Sequence, residues 1–172
     1  AASASWFNPQ EFTESAQGVL READRIASAG GASVVGGRHV AAALFCEHAV
    51  GPKVAFATKT THVGALQAQI RLTAKGPASK HELEDDAALF LRCVRAQRPN
   101  FGPKNLEDLV LAVFEPVLKL DSIFETHGLR VSQASEVLPK ALKAAEMYER
   151  QAANLPTEDL AANHHGGYVN PK

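Results

Sequence analysis

Apolar residues recur at steps of three and four along most of the chain, which is the spacing of helices that bury one face. The first such segment runs over residues 12–27, and the glycine pair at 30–31 predicts its end. Shorter segments with the same spacing follow at 40–44, 52–56 and 63–70. The pattern therefore predicts one long helix followed by three short ones.

The pattern restarts after residues 73–79, TAKGPAS, whose glycine, proline and small polar residues predict a loop. Helical spacing resumes at 83–94, then at 106–114 and 120–124, and Ser132 is predicted to open a further helix. This second series has the same order as the first, with a long helix followed by short ones.

The two series indicate an internal duplication with a period of roughly 65–70 residues. Residues 36–45, GGRHVAAALF, are matched with residues 102–111, GPKNLEDLVL. The prediction is an all-α fold of eight or nine helices, arranged as two pseudo-symmetric four-helix repeats. The predicted boundaries are an N-terminal extension at 1–11, repeats at about 12–72 and 79–138, a closing helix at about 139–150 and a flexible tail at 151–172.

Composition and charge argue against some classes of function. A net charge of −1 gives no basic excess for binding nucleic acid, and no apolar run approaches the length of a membrane span. The two cysteines, Cys46 and Cys93, lie among apolar residues and are read as small core residues of a reducing compartment. The first residues, AASAS, fit either the end of a processed targeting peptide or a cloning remnant.

Candidate chemistry along the chain is sparse. The histidines lack the HxH or HExxH spacing of metal ligands, and no GxSxG elbow or phosphate-binding GxxxxGK[ST] loop is found. The acidic run at 84–86 falls near a helix start, where negative charge is stabilising in any case. The sequence predicts no catalytic residue, no metal site and no cofactor.

The aromatic pair Trp6 and Phe7 precedes Asn8-Pro9-Gln10-Glu11, which has the residue order of a helix start. We interpret the pair as a hydrophobic staple that folds the N-terminus onto the domain. The alternative is an exposed aromatic anchor for a partner.

Several segments resemble the Clp N-terminal repeat. These are FTESAQGVLREADRIA at the start of the first half, Gly36-Gly37-Arg38-His39 in place of the family's G-T-E-H, and IFETHGLRVSQASEVL near the end of the second half. The resemblance covers about residues 12–138 and implies a double Clp-N domain. It is closest in kind to the free-standing ClpT accessory proteins of the plastid Clp protease.

The resemblance gives His39 a structural role at the start of a helix, and Gly37 stands where the family has a threonine. In bacterial ClpC-type domains the acidic residue of G-T-E-H helps to hold phosphorylated arginine. Arg38 and Lys104 are matched with those two acidic positions, so a guanidinium group would be repelled. They are candidate partner-binding residues, and solvated surface charge is the alternative.

The function implied by the resemblance is a non-enzymatic accessory subunit of the chloroplast stroma. Its expected partners are ClpP-like and ClpR-like core subunits, with a ClpC-type chaperone as a further candidate and neither nucleic acid nor membrane. Apolar residues of the tail are further candidate partner-binding positions: Leu155, Leu160, Tyr168 and Val169. The alternative function is the N-domain of a Clp AAA+ unfoldase that binds adaptors and substrates.

Overall fold

A computed structural model describes residues 6–32, 34–48, 50–75, 86–97, 102–138, 142 and 151. Within these residues every regular element is a helix, and the eight α-helices confirm the all-α prediction. They are α1 (Glu14–Ala29), α2 (Gly37–Ala42), α3 (Val50–Ala57), α4 (Val63–Thr73), α5 (Asp86–Gln97), α6 (Leu106–Val113), α7 (Asp121–Thr126) and α8 (131–138). The chain divides after Leu142 into two compact units, and all eight helices belong to the first.

Two short helical segments were not predicted from the sequence. Helix α2 continues directly into a π-helix, Ala43–Glu47, and a single 3-10 turn forms at Pro116–Leu118. The helix start predicted at residues 8–11 forms as a 3-10 turn, Pro9–Glu11. The π-helix lengthens α2 by more than a turn. It therefore decides which side chains stand at the far end of that helix.

Helix α1 forms where the periodicity predicted it. The Thr13 hydroxyl accepts the Ala16 N–H at 3.3 Å and caps the N-terminus. The helix ends at Gly30, and Gly31 then takes a φ of +83°, a conformation that favours glycine. Its buried face consists of the expected positions, Ala16, Val19, Leu20, Ala23 and Ala27.

Helix α2 is the centre of the domain, because every residue from Gly36 to Phe45 is buried. It packs against α1, α4, α5 and α6. The approach of α3 to the π-helix is so close that a Cβ atom at Gly51 would lie 2.4 Å from the Phe45 Cα. Only glycine fits there.

An aromatic cluster joins the two halves of the chain. The Phe45 and Phe124 ring centroids lie 5.0 Å apart, as do those of Phe114 and Phe124, and Phe45 and Phe114 are 6.5 Å apart. The separations are those of favourable aromatic pairs. Because the rings come from the π-helix, the C-cap of α6 and α7, the halves share one hydrophobic core.

The N-terminal aromatic residues form the predicted staple. Asn8 caps the 3-10 turn with its side chain, and the Phe7 and Phe12 rings on either side of that turn meet edge to face at 5.8 Å. Phe7 is buried in the core and Trp6 packs against it, half-buried. The segment therefore belongs to the core and does not present an aromatic anchor to solvent.

The same segment is fastened to the second half of the chain. Lys104 donates its N–H to the Glu11 carbonyl and accepts the Thr13 N–H, both at 2.8 Å. The Arg95 guanidinium on α5 donates to both Glu11 carboxylate oxygens, at 2.5 and 3.0 Å. These hydrogen bonds from Arg95, with a further contribution from Lys104, hold the pKa of Glu11 below its usual range.

Among the described residues, no single helix is long and apolar enough to cross a membrane. Gly37–Glu47 and Val50–Ala57 meet the length and composition requirement only when taken together, and they are bent by 81° at the break between them.

Replacing Glu11 with glutamine is expected to lower the free energy of unfolding by about 0.5–1 kcal/mol at pH 7, because the pair with Arg95 is partly exposed. Since the folded-state pKa of Glu11 is lowered, its stabilising contribution is complete above the unfolded value of about 4.5 and is lost as the pH falls below it. Urea denaturation of both proteins at pH 7, 5 and 3.5 measures this. A difference that stayed constant down to pH 3.5 would contradict the ion pair.

Candidate functional site

His39 lies in the first turn of α2. Its imidazole is fully buried, and Nδ1 accepts the Gly36 N–H at 3.0 Å. Gly36 is the N-cap of α2 and His39 is the third helical residue, so the ring reaches back over the first turn. This is the reciprocal half of a capping box, with imidazole in place of the usual glutamate. This hydrogen bond fits the structural interpretation of His39.

The entrance of α6 repeats this arrangement with different residues. Asp108 accepts the Asn105 N–H at 2.9 Å, and the Asn105 side chain accepts the Asp108 N–H at 3.1 Å. Asn105 is the N-cap and Asp108 the third helical residue, as Gly36 and His39 are in α2. In both halves, therefore, the side chain of the third helical residue accepts the N–H of the N-cap residue.

The matching caps correct the alignment of the two halves. Position 36 corresponds to position 105, so residues 36–45 match 105–114, NLEDLVLAVF, and not 102–111. The sequence-based pairing was wrong by three residues, because it followed Gly36 to another glycine, Gly102, when the cap is an asparagine. In the corrected alignment His39 matches Asp108 and Arg38 matches Glu107.

Arg38 is not a solvated surface charge, since only 8% of it is exposed. Its Nη1 donates to the Thr73 carbonyl at 2.9 Å and to the Lys75 carbonyl at 3.2 Å. These carbonyls stand at the C-terminus of α4, where unpaired acceptors and the negative end of the helix dipole favour a cation. Arg38 therefore ties the second helix to the end of the fourth.

Lys104 is also only 8% exposed, so the alternative of a solvated surface charge is wrong for it too, and its burial does not favour a partner-binding role. It does not correspond to Arg38. It precedes the N-cap of α6, and its backbone bridges to the segment around Phe12. Of the other sequence-based candidates, Gly37 lies in the first turn of α2 against Leu118, while Leu155, Leu160, Tyr168 and Val169 lie outside the described residues.

A groove of about 240 Å³ opens where α1, the π-helix and α4 end. Its floor is apolar, with Ala42 and Ala74 buried and Ile26 and Cys46 half-buried. The π-helix creates one wall, and α4 holds it there because the Gln67 side chain donates to the Phe45 carbonyl at 2.6 Å. The Cys46 thiol in turn donates to the Gln67 carbonyl at 3.4 Å.

The rim of the groove carries an excess of positive charge. Arg71 and Lys75 stand one helical turn apart on the α4 side, both exposed and without an ion pair to any described residue. On the opposite side Arg25 pairs with Glu22, and among the described residues Glu47 is the one carboxylate that lines the groove itself. The groove was not predicted, although the i,i+4 spacing of Arg71 and Lys75 is a signal the sequence does contain.

The thiols of the described residues are not activated. Burial raises the pKa of Cys46, although Arg71 nearby opposes the shift, and burial also raises that of Cys93. A search of the described residues for clusters of three or more metal-ligating side chains finds none.

No protein-family model and no curated protein matches this chain. The Clp-N resemblance therefore stays a prediction that rests on the residues quoted above.

The two reciprocal caps should differ in strength. Replacing His39 with alanine is expected to cost about 2–3 kcal/mol, because it leaves a buried N–H unpaired and a cavity behind. Asp108→Ala is expected to cost about 1–2 kcal/mol, and Asp108→Asn, which keeps an acceptor oxygen, less than half of that. Urea denaturation checks all three, and a His39→Ala variant as stable as the wild type would contradict the cap.

Arg38→Ala is expected to lower the free energy of unfolding by about 1–3 kcal/mol, because two carbonyls at the end of α4 lose their donor. Arg38→Lys should recover part of this, since an ammonium group can still donate to a carbonyl. Arg130→Ala, at an exposed position, is the control and should change stability by less than about 0.5 kcal/mol. Faster amide hydrogen exchange in residues 70–75 of Arg38→Ala would locate the effect, and an Arg38→Ala cost equal to the control would refute it.

Proposed function

We propose that this protein is a non-catalytic accessory subunit that binds the ClpP/ClpR core of the plastid Clp protease in the chloroplast stroma. On this proposal it needs no cofactor and contributes to the assembly or stability of the core or to the regulation of chaperone docking, while its partner performs hydrolysis. The proposal rests on the resemblance to the free-standing ClpT proteins.

One observation supports the proposal more than the others. At the start of both α2 and α6 the side chain of the third helical residue accepts the N–H of the N-cap residue: His39 accepts from Gly36, and Asp108 accepts from Asn105. The helices then run to Phe45 and Phe114, which meet in the shared aromatic cluster. A matching hydrogen bond at two helix starts fits the doubling that the resemblance implies, and it supports the proposal in that way.

The corrected alignment gives a specific reason to keep the second candidate function, that of an unfoldase N-domain. Glu107 now occupies the position that is acidic in the family motif, so only the first half, at Arg38, has its charge reversed. A receptor with one acidic site of the two would still bind a guanidinium-bearing client. Arg38 cannot do so, because its own guanidinium group fills that position and is bound to α4.

Affinity isolation of the full chain from stroma, followed by mass spectrometry of the co-purifying proteins, tests the proposal. We expect ClpP-like and ClpR-like subunits in a fixed ratio, with or without ATP. Recovery of a AAA+ unfoldase or of diverse client proteins would instead support the receptor function. In that case Glu107→Gln should reduce client recovery, and a matched change at another helical acid, Glu125→Gln, should not.

A further inference from the structure

We propose that the groove between α1, the π-helix and α4 binds a short acidic peptide segment that carries an aliphatic side chain between its carboxylates. The inference concerns how the protein would recognise a partner. It rests on the proposed function only for the source of the peptide.

The size and lining of the groove set the first requirement. Its volume of about 240 Å³ is smaller than the roughly 300–1,000 Å³ of pockets for drug-sized ligands, so it suits one or two side chains. The floor of Ile26, Ala42 and Ala74 offers apolar contact without a polar group to be desolvated. An aliphatic side chain is the matching occupant.

The charge of the rim sets the second requirement. Arg71 and Lys75 project from one side of the groove with no ion pair to a described residue, while Arg25 across from them is already held by Glu22. Carboxylates flanking the aliphatic side chain would complement Arg71 and Lys75. A basic peptide would meet these two cations at close range.

The negative end of α4 does not cancel this charge. The carbonyls of Thr73 and Lys75 accept hydrogen bonds from Arg38, which approaches α4 from α2. Arg38 thus acts as a positioning residue, because it holds the backbone at Lys75, two residues beyond the end of α4, and supplies the cation that those carbonyls favour. Arg71 and Lys75 are left to act on a ligand.

Among the described residues, only the first half of the chain has a π-helix beside such a groove. Helix α2 runs on into the π-helix and brings Cys46 and Glu47 to the groove, whereas α6 stops at Val113 and the chain turns at Pro116–Leu118. Since π-helical segments are found at functional sites more often than elsewhere, the asymmetry fits a binding role for this end of the first half.

Fluorescence anisotropy with the full chain tests the inference. The probe is a labelled twelve-residue peptide with two central leucines flanked by glutamates. Two matched peptides replace either the glutamates with lysine or the leucines with serine. We expect the acidic leucine peptide to bind at least tenfold more tightly than either. Equal binding of all three, or of none, would overturn the proposal.

The variant Arg71→Glu/Lys75→Glu is expected to weaken binding of the acidic peptide at least tenfold. The control, Arg92→Glu/Arg130→Glu, changes the net charge equally at exposed positions and should alter binding less than twofold. Equal losses in the two variants would mean a general charge effect and would refute the groove. Competition by decanoate as strong as by the unlabelled peptide would also refute it, in favour of a fatty-acid site.

Cys46 provides an independent reading of occupancy, since its thiol lines the groove while Cys93 is buried. Bound peptide should slow alkylation of Cys46 by iodoacetamide at least fivefold in the wild type and leave it unchanged in Arg71→Glu/Lys75→Glu. Unchanged alkylation despite bound peptide would place the peptide elsewhere. These outcomes can be told apart from those of the isolation experiment. If the peptide binds but no Clp subunits co-purify, the proposed function is refuted and the groove proposal stands.

Discussion

The complete burial of α2 is the constraint on which the rest of this structure depends. A helix surrounded by α1, α4, α5 and α6 cannot leave its first N–H groups to water, and each unpaired buried amide costs about 1–3 kcal/mol. The chain meets this with His39, whose ring is the acceptor for the Gly36 N–H. The neighbouring residue, Arg38, is also buried, and its side chain donates a hydrogen bond to the Thr73 carbonyl at the end of α4. Two polar residues in an otherwise apolar helix therefore set the position of its neighbours.

The second half solves the same problem with an opposite choice of charge. Asp108 brings a carboxylate to the first turn of α6, where the helix dipole favours it, and Asn105 completes the reciprocal cap. His39 accepts through an unprotonated ring nitrogen and adds no negative charge next to Arg38. The two halves thus share a backbone solution and differ in electrostatics, which is why a comparison of residue types alone misaligned them.

The sequence predicted the helices well because their apolar spacing can be seen directly in it, as in α1 with its glycine stop. It also predicted the staple at Phe7, and it favoured a structural role for His39, which the hydrogen bond from Gly36 fits. It could not predict that Arg38 and Lys104 are buried, since a charged residue is normally exposed and their burial depends on carbonyls and backbone from distant segments. The groove was missed for the same reason, because its walls come from three helices and one of them exists only through the π-helix.

The position of the groove follows from these internal contacts. If α2 continued as a regular α-helix, its last side chains would point in other directions. The hydrogen bond from Gln67 to the Phe45 carbonyl holds the wider π-helical turn, and Cys46 stays at the floor of the groove. Arg38 satisfies the end of α4, so that Arg71 and Lys75 are the charges that face outward there. The same arginine that is buried in the first turn of α2 thereby helps to form the basic rim at the end of α4. On this reasoning Arg38 acts on partner recognition only through the position of the end of α4, and the charge at the proposed groove favours an acidic partner.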